Sequence, residues 1–224
     1  LGDVYKRQYR ISDETLHFNG ESTLISLQNG GGKSVLVQML TAPFVHPRYR
    51  NTKDRLFESY FTTNKPSFIL VEWALDQGAG YVLTGLMVRK SQDMEEDRKE
   101  NLDIIGIVSE YQSPCIQDIH HLPVVEKGKK EMILKNFNSC RQLFETYKKD
   151  RDMKFFYYDL TNYAQSRQYF NKLMEYQINY KEWETIIKKI NLKESGLSDL
   201  FADCKDEKGL TCLLYTSPSP RDRS

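Results

Sequence analysis

The chain has little cysteine, no excess of charge of one sign and no long apolar run. Its 224 residues include four cysteines, Cys115, Cys140, Cys204 and Cys212, and no Cys-x-x-Cys pair. That spacing signals neither a zinc site nor a disulfide framework. Lys and Arg total 32 against 31 Asp and Glu, a formal net charge of +1. A balance so near zero argues against a strongly basic nucleic-acid-binding module. No apolar stretch approaches the ~20 residues that a membrane span needs, and the first residues lack a signal-peptide layout. The expectation is a soluble, cytoplasmic protein with no membrane association. What the chain does have is aromatic residues, 12% Phe, Trp and Tyr. They suffice for a packed core in one large domain or two small ones.

Both ends look foreign. "LGDVYKRQ" (1–8) and "CLLYTSPSPRDRS" (212–224) resemble translated adaptor sequence from sequencing libraries. On that reading the genuine segment is about 9–211, an internal piece of a longer protein. Trimming both ends takes the net charge from +1 to −1.

Between them the pattern alternates between the two periods. "ETLHFNGESTLISL" holds two short apolar-alternating runs split by Asn19-Gly20, a hairpin turn signal. A glycine run follows, then "KSVLVQMLTA", an apolar helix stopped before Pro43. "PFVHPRYRNTKDRLFESYFTTNKP" reads as a polar connection with one helical turn near 56–60. "SFILVEWAL", "GYVLTGLMVRKS" and "LDIIGIVSEY" read as three strands of one meander, the first two joined by the loop "DQGAG". "LPVVEKGKKEMILK" suggests a further hairpin around Lys127-Gly128. "NSCRQLFETYKKD" predicts a helix capped by Asn138 or Ser139, and "KFFYYDL" a short strand. Phe170, Leu173, Met174, Trp183, Ile186, Ile187 and Ile190 give one apolar helical face within 165–190. "ESGLSDLFADC" restarts a helix after Gly196.

The chemistry is concentrated in "SLQNGGGKSVLVQML". Glycines allow successive backbone N–H groups to turn inward around an anion. The following helix N-terminus adds partial positive charge. Lys reaches the β- and γ-phosphates, and the Ser hydroxyl binds Mg²⁺. Asn29, Gly30, Gly31 and Gly32 supply the turn here, and Lys33 and Ser34 follow. The full pattern asks for glycine where this chain has Leu27. That position lies at the strand exit, away from the phosphate-facing amides. Three consecutive glycines in an ordinary helix-capping turn would cost entropy without adding packing.

"Q-N-G-G-G-K-S" resembles the x-N-G-x-G-K-S/T loop of SMC-like ATPases, the chromosome-segregation, MukB-like and SbcC-like coiled-coil proteins. "NKPSFILVEWALDQGAGYVLTGLMVRKS" is similar to the antiparallel strands that follow the loop in their N-terminal head lobes. "YQINYKEWETIIKKINLKESGLSDLF" resembles the end of that lobe in bacterial anti-plasmid and MukB-like relatives. The resemblance implies an α/β fold of the P-loop NTPase class: the N-terminal lobe of an ABC/SMC-type head, an incomplete domain with antiparallel strands beside the P-loop core. It implies ATP and Mg²⁺ as cofactors and dimerisation with a second ATPase head. It also implies a C-terminal lobe beyond a coiled coil, carrying the signature motif and Walker B carboxylates. DNA, reached through the full-length complex, and accessory subunits are the further implied partners, in segregation, repair or defence. A glutamine between the lobes would touch Mg²⁺; Gln77, Gln112 and Gln177 all qualify by position.

Other features have bland readings. "FILVEW" mimics a Walker B strand with Glu72 as catalytic acid, which would make the chain a self-contained NTPase. The "DQGAG" turn and immediate return strand fit an antiparallel hairpin instead, whereas a Walker B strand is parallel and follows a crossover. A non-catalytic DNA-binding or scaffold domain is a third reading. A transporter-type subunit fits less well, given the long aromatic helical segment. Arg48, Arg50, Lys53 and Arg55 are candidate DNA-phosphate contacts, diluted by Asp54 and Glu58. "DIHH" downstream of Cys115 lacks a second ligand cluster, so surface or structural roles are expected. "SGLS" lacks the glycine pair of a signature motif and reads as a helix junction. The aromatics of "FFYYDL" and "YAQSRQYF" suit helix-on-sheet packing better than base stacking.

Overall fold

The computed structural model describes residues 23–26, 32–53, 55–92, 98, 100–130, 132–192 and 212–215. Its centre is a four-stranded antiparallel sheet in the order β2-β3-β4-β7. The strands are β2 (Ser67–Ala74), β3 (Tyr81–Lys90), β4 (Leu102–Tyr111) and β7 (Lys154–Asp159). The meander expected from the three apolar runs is present, with full-length registers Ser67↔Val88 to Ala74↔Tyr81 and Tyr81↔Tyr111 to Lys90↔Leu102. Val82–Val88 and Ile104–Ser109 are buried without interruption. Central strands covered on both faces read as continuous apolar runs in this way.

The two-residue period of the strands sorts their side chains into two cores. Val82, Leu86, Val88, Ile104 and Val108 face one side, and Met87, Ile105, Ile107 and Phe155 the other. The second side is closed by α3 (Phe137–Lys149). Its Phe137, Cys140, Phe144 and Tyr147 recur at three-to-four spacing and are buried. The cap is Asn136, whose side chain accepts from the Ser139 N–H at 2.8 Å, so neither Asn138 nor Ser139 caps this helix. The first side is closed by α4 (Tyr163–Glu175) and α5 (Tyr180–Leu192). The single apolar helical face expected over 165–190 is therefore two helices. Gln177 breaks them with φ 62°, and Met174 is 43% exposed rather than in the core. Tyr169 lies flat against β4 at Gly106, where an added Cβ would stand 2.7 Å from its ring.

Earlier in the chain lie β1 (Thr23–Ser26) and α1 (Lys33–Thr41). β1 pairs in parallel with β8 (Cys212–Tyr215), inside the stretch read as adaptor. A 3-10 turn (Ala42–Phe44) and α2 (Pro47–Arg50) follow α1. A small separate hairpin, β5 (Val125–Lys127) and β6 (Met132–Leu134), completes the described strands. It sits where Lys127-Gly128 predicted a turn. The Asn19-Gly20 hairpin, "SGLS" and the helix expected after Gly196 lie outside the described residues.

Candidate functional site

β1 and α1 form on either side of the glycine run, of which Gly32 is described. Gly32 is the N-cap of α1 with φ 85° and ψ 18°, a left-handed conformation that glycine adopts at little cost and other residues do not. A Cβ there would meet nothing within 4 Å, so the backbone is open on that side. The first turn of α1 contains no acidic residue, and no side chain caps it. An uncapped helix start leaves its first-turn N–H groups and the positive end of the helix dipole available to an anion. Ser34 stands exposed in this first turn. Leu27, Asn29, Gly30, Gly31 and the Lys33 side chain lie outside the described residues. Left-handed Gly32, a helix start without a side-chain cap and the exposed Ser34 hydroxyl are groups that would suit a phosphate and a Mg²⁺ ion.

The far end of α1 is bound tightly into the protein. Gln38, 4% exposed, donates through Nε2 to the Arg50 carbonyl at 2.7 Å and accepts from the Tyr60 hydroxyl at 2.8 Å. The Arg50 Nε donates to the Ala42 carbonyl at 3.0 Å. Tyr169 donates its hydroxyl to the Pro43 carbonyl at 2.9 Å. Phe44 packs edge-on against Trp73 at 5.4 Å and tilted against Trp183 at 5.2 Å. His46 donates its backbone N–H to the buried Glu184 carboxylate at 3.1 Å, and its ring Nδ1 lies 2.6 Å from the same oxygen. The connection read as polar is thus a buried clamp, with Phe44, Val45, Phe57 and Phe61 in the core. Sequence reasoning missed Gln38. Its signal was a lone amide inside the apolar run "VLVQML".

Glu72 lies in β2, antiparallel to β3, and not beside β1. It is exposed and accepts a hydrogen bond from Tyr111. Burial and this carboxylate together push the Tyr111 phenol well up. The hairpin reading of "FILVEW" accounts for both observations.

The four basic candidates separate. Arg48 and Lys53 are exposed, and Arg55 is half-buried over the Tyr60 ring at 5.4 Å. Arg50 is 2% exposed, and its guanidinium lies 3.9 Å from Glu100. Burial pulls the Arg50 pKa down against the attraction of Glu100, and burial likewise raises Glu100. Arg50 is a structural cation turned inward, so it drops out of the candidate DNA contacts. Gln77, Gln112 and Gln177 are all exposed.

Asp118 explains "DIHH". It is buried and accepts from the backbone N–H groups of Cys115, His120 and His121, with His121 Nδ1 at 2.8 Å from its Oδ2. Burial opposes its ionisation, but these hydrogen bonds win and hold the carboxyl below its usual value. Among the described residues no group of three or more His, Cys, Asp or Glu side chains could hold a metal ion. Cys140 is free and buried, and burial pushes its thiol up to about 11, an inert position. No described helix is long and apolar enough to cross a membrane.

Comparison of the chain with protein-family models, curated proteins and solved structures finds no match.

Proposed function

We propose that the chain carries the ATP-binding half of an SMC-like ATPase head. The observation that carries this reading is the uncapped start of α1 behind left-handed Gly32, directly after β1 and a run of glycines. In this reading the backbone of Asn29 to Gly32 surrounds the phosphates. Lys33 balances the γ-phosphate charge, and Ser34 holds Mg²⁺, which would screen the phosphate oxygens. Glu72 is engaged with Tyr111 in an antiparallel hairpin, so the catalytic carboxylate is assigned to a C-terminal lobe. Head dimerisation around ATP would complete the site and drive DNA segregation, repair or defence. Cytoplasmic location and accessory subunits belong to the same proposal.

Equilibrium titration with Mg-ATP tests it. The wild-type chain should bind ATP weakly, and Lys33→Ala or Ser34→Ala should weaken binding about tenfold or more, since hydrogen bonds to charged groups contribute about 1.5–3 kcal/mol each. ATP affinity unaffected by Lys33→Ala would instead support a scaffold with a degenerate loop. Multiple-turnover hydrolysis by this chain, lost in Glu72→Gln, would favour the self-contained NTPase.

A further inference from the structure

The β5–β6 hairpin exposes what the rest of the fold buries. Val125 is 44% exposed, Met132 61%, Ile133 45% and Leu134 44%. The register pairs Val125 with Leu134 and Lys127 with Met132. Directly opposed residues share a face, and alternate residues along a strand share it too. Val125, Lys127, Met132 and Leu134 therefore form one face, apolar at its centre. Among the described residues the sheet stops at two strands, and a two-stranded ribbon alone is marginal in water.

Within residues 125–135 four lysines stand against two glutamates, Glu126 and Glu131. Lys127, Lys129 and Lys130 are exposed at the tip, and Lys135 follows β6. Glu126 lies on the opposite face with Ile133. At the hairpin's base a cleft of about 560 Å³ is lined by Lys65, Arg89, Asn136, Gln142, Glu126 and Leu134. Its side-chain amides suit the N–H and C=O groups of a peptide backbone.

We propose that this face docks an acidic amphipathic segment of a partner protein. The partner's apolar stripe covers Val125, Met132 and Leu134, and its carboxylates meet Lys127, Lys129 and Lys130. A second copy of the chain would set lysine against lysine, and like charges in register oppose docking. A bilayer would satisfy the lysines, but it leaves the amide-lined cleft without a role.

Selection of a displayed library of random short peptides on the full chain tests the proposal. Met132→Ser/Leu134→Ser serves as counter-selection. Enriched peptides should interleave Asp or Glu with Leu, Ile or Phe. Once synthesised, they should lose about tenfold or more in affinity for this double variant and for Lys127→Glu/Lys130→Glu, the scale of a hot-spot loss. Both variants should keep the wild-type melting temperature. If the apolar double variant melts early, Lys130→Glu alone carries the comparison. The proposal fails if enriched peptides are basic or bind all variants equally. It also fails if the hairpin residues instead drive binding to phosphatidylserine vesicles or self-association in sedimentation.

Discussion

The antiparallel sheet and the glycine loop are organised on opposite terms. In the sheet the middle stretches of β3 and β4 are buried throughout, and identity there is set by available space. Gly106 shows this: a Cβ would strike the Tyr169 ring. At the loop the space is open. A Cβ at Gly32 would meet nothing, and it is the positive φ that calls for glycine. Ser34 is exposed and contributes no packing. The sheet's residues are therefore explained by stability. The residues at the start of α1 add little packing, and it is the proposed nucleotide that would give them a role. Phe44, Gln38 and Arg50 join the two, fixing the far end of α1 to the sheet and its helices.

That contrast can be broken most strongly at the join. Phe44 is 1% exposed between Trp73 and Trp183. Phe44→Ala should cost about 3 to 5 kcal/mol in urea unfolding. If α1 and the sheet are coupled, fluorescence and circular dichroism should report one transition. Separate transitions would show that α1 is anchored by something else.

Next in size is Gly106→Ala. The Tyr169 ring cannot retreat freely, because its hydroxyl is held by the Pro43 carbonyl. Overpacking here should cost about 2 kcal/mol, with an earlier melting temperature and no change in nucleotide affinity. A loss of ATP binding without a loss of stability would contradict the division of labour.

The smallest effect lies at Asp118, remote from the loop. Its pKa is depressed in the fold, so the stability it contributes is present above the ordinary carboxylate value of about 4. That stability is lost as pH falls through the lowered value. Asp118→Asn should cost about 1 kcal/mol at neutral pH and flatten the acid side of the stability–pH curve. An unchanged acid slope would mean that these hydrogen bonds stabilise the protonated form equally well.

The strands that can be read in the sequence are those with a clear local pattern, whether buried, as β3 and β4 are, or exposed, as the β5–β6 hairpin is. β2, β3, β4 and the Lys127-Gly128 hairpin announce themselves by apolar runs and turn residues. The spacing of Gly32, Lys33 and Ser34 is the sequence basis of the proposed phosphate site. The break at Gln177 was hidden, since the apolar three-to-four pattern continues on both sides of it. The inward turn of Arg50 was hidden for a different reason. Nothing in "HPRYRNTKDR" indicates that Glu100, fifty residues further on, and the Ala42 carbonyl will receive its guanidinium. The Asn136 cap was missed by two residues, because Asn136, Asn138 and Ser139 are all good cap residues.

Hydrogen exchange at the backbone amides with and without Mg-ATP tests the central claim most directly. The account predicts slower exchange on adding Mg-ATP at residues 29–34, no change across β3 and β4, and no effect of nucleotide in Lys33→Ala. Protection confined to the sheet, or no protection at 29–34 under saturating Mg-ATP, would contradict it.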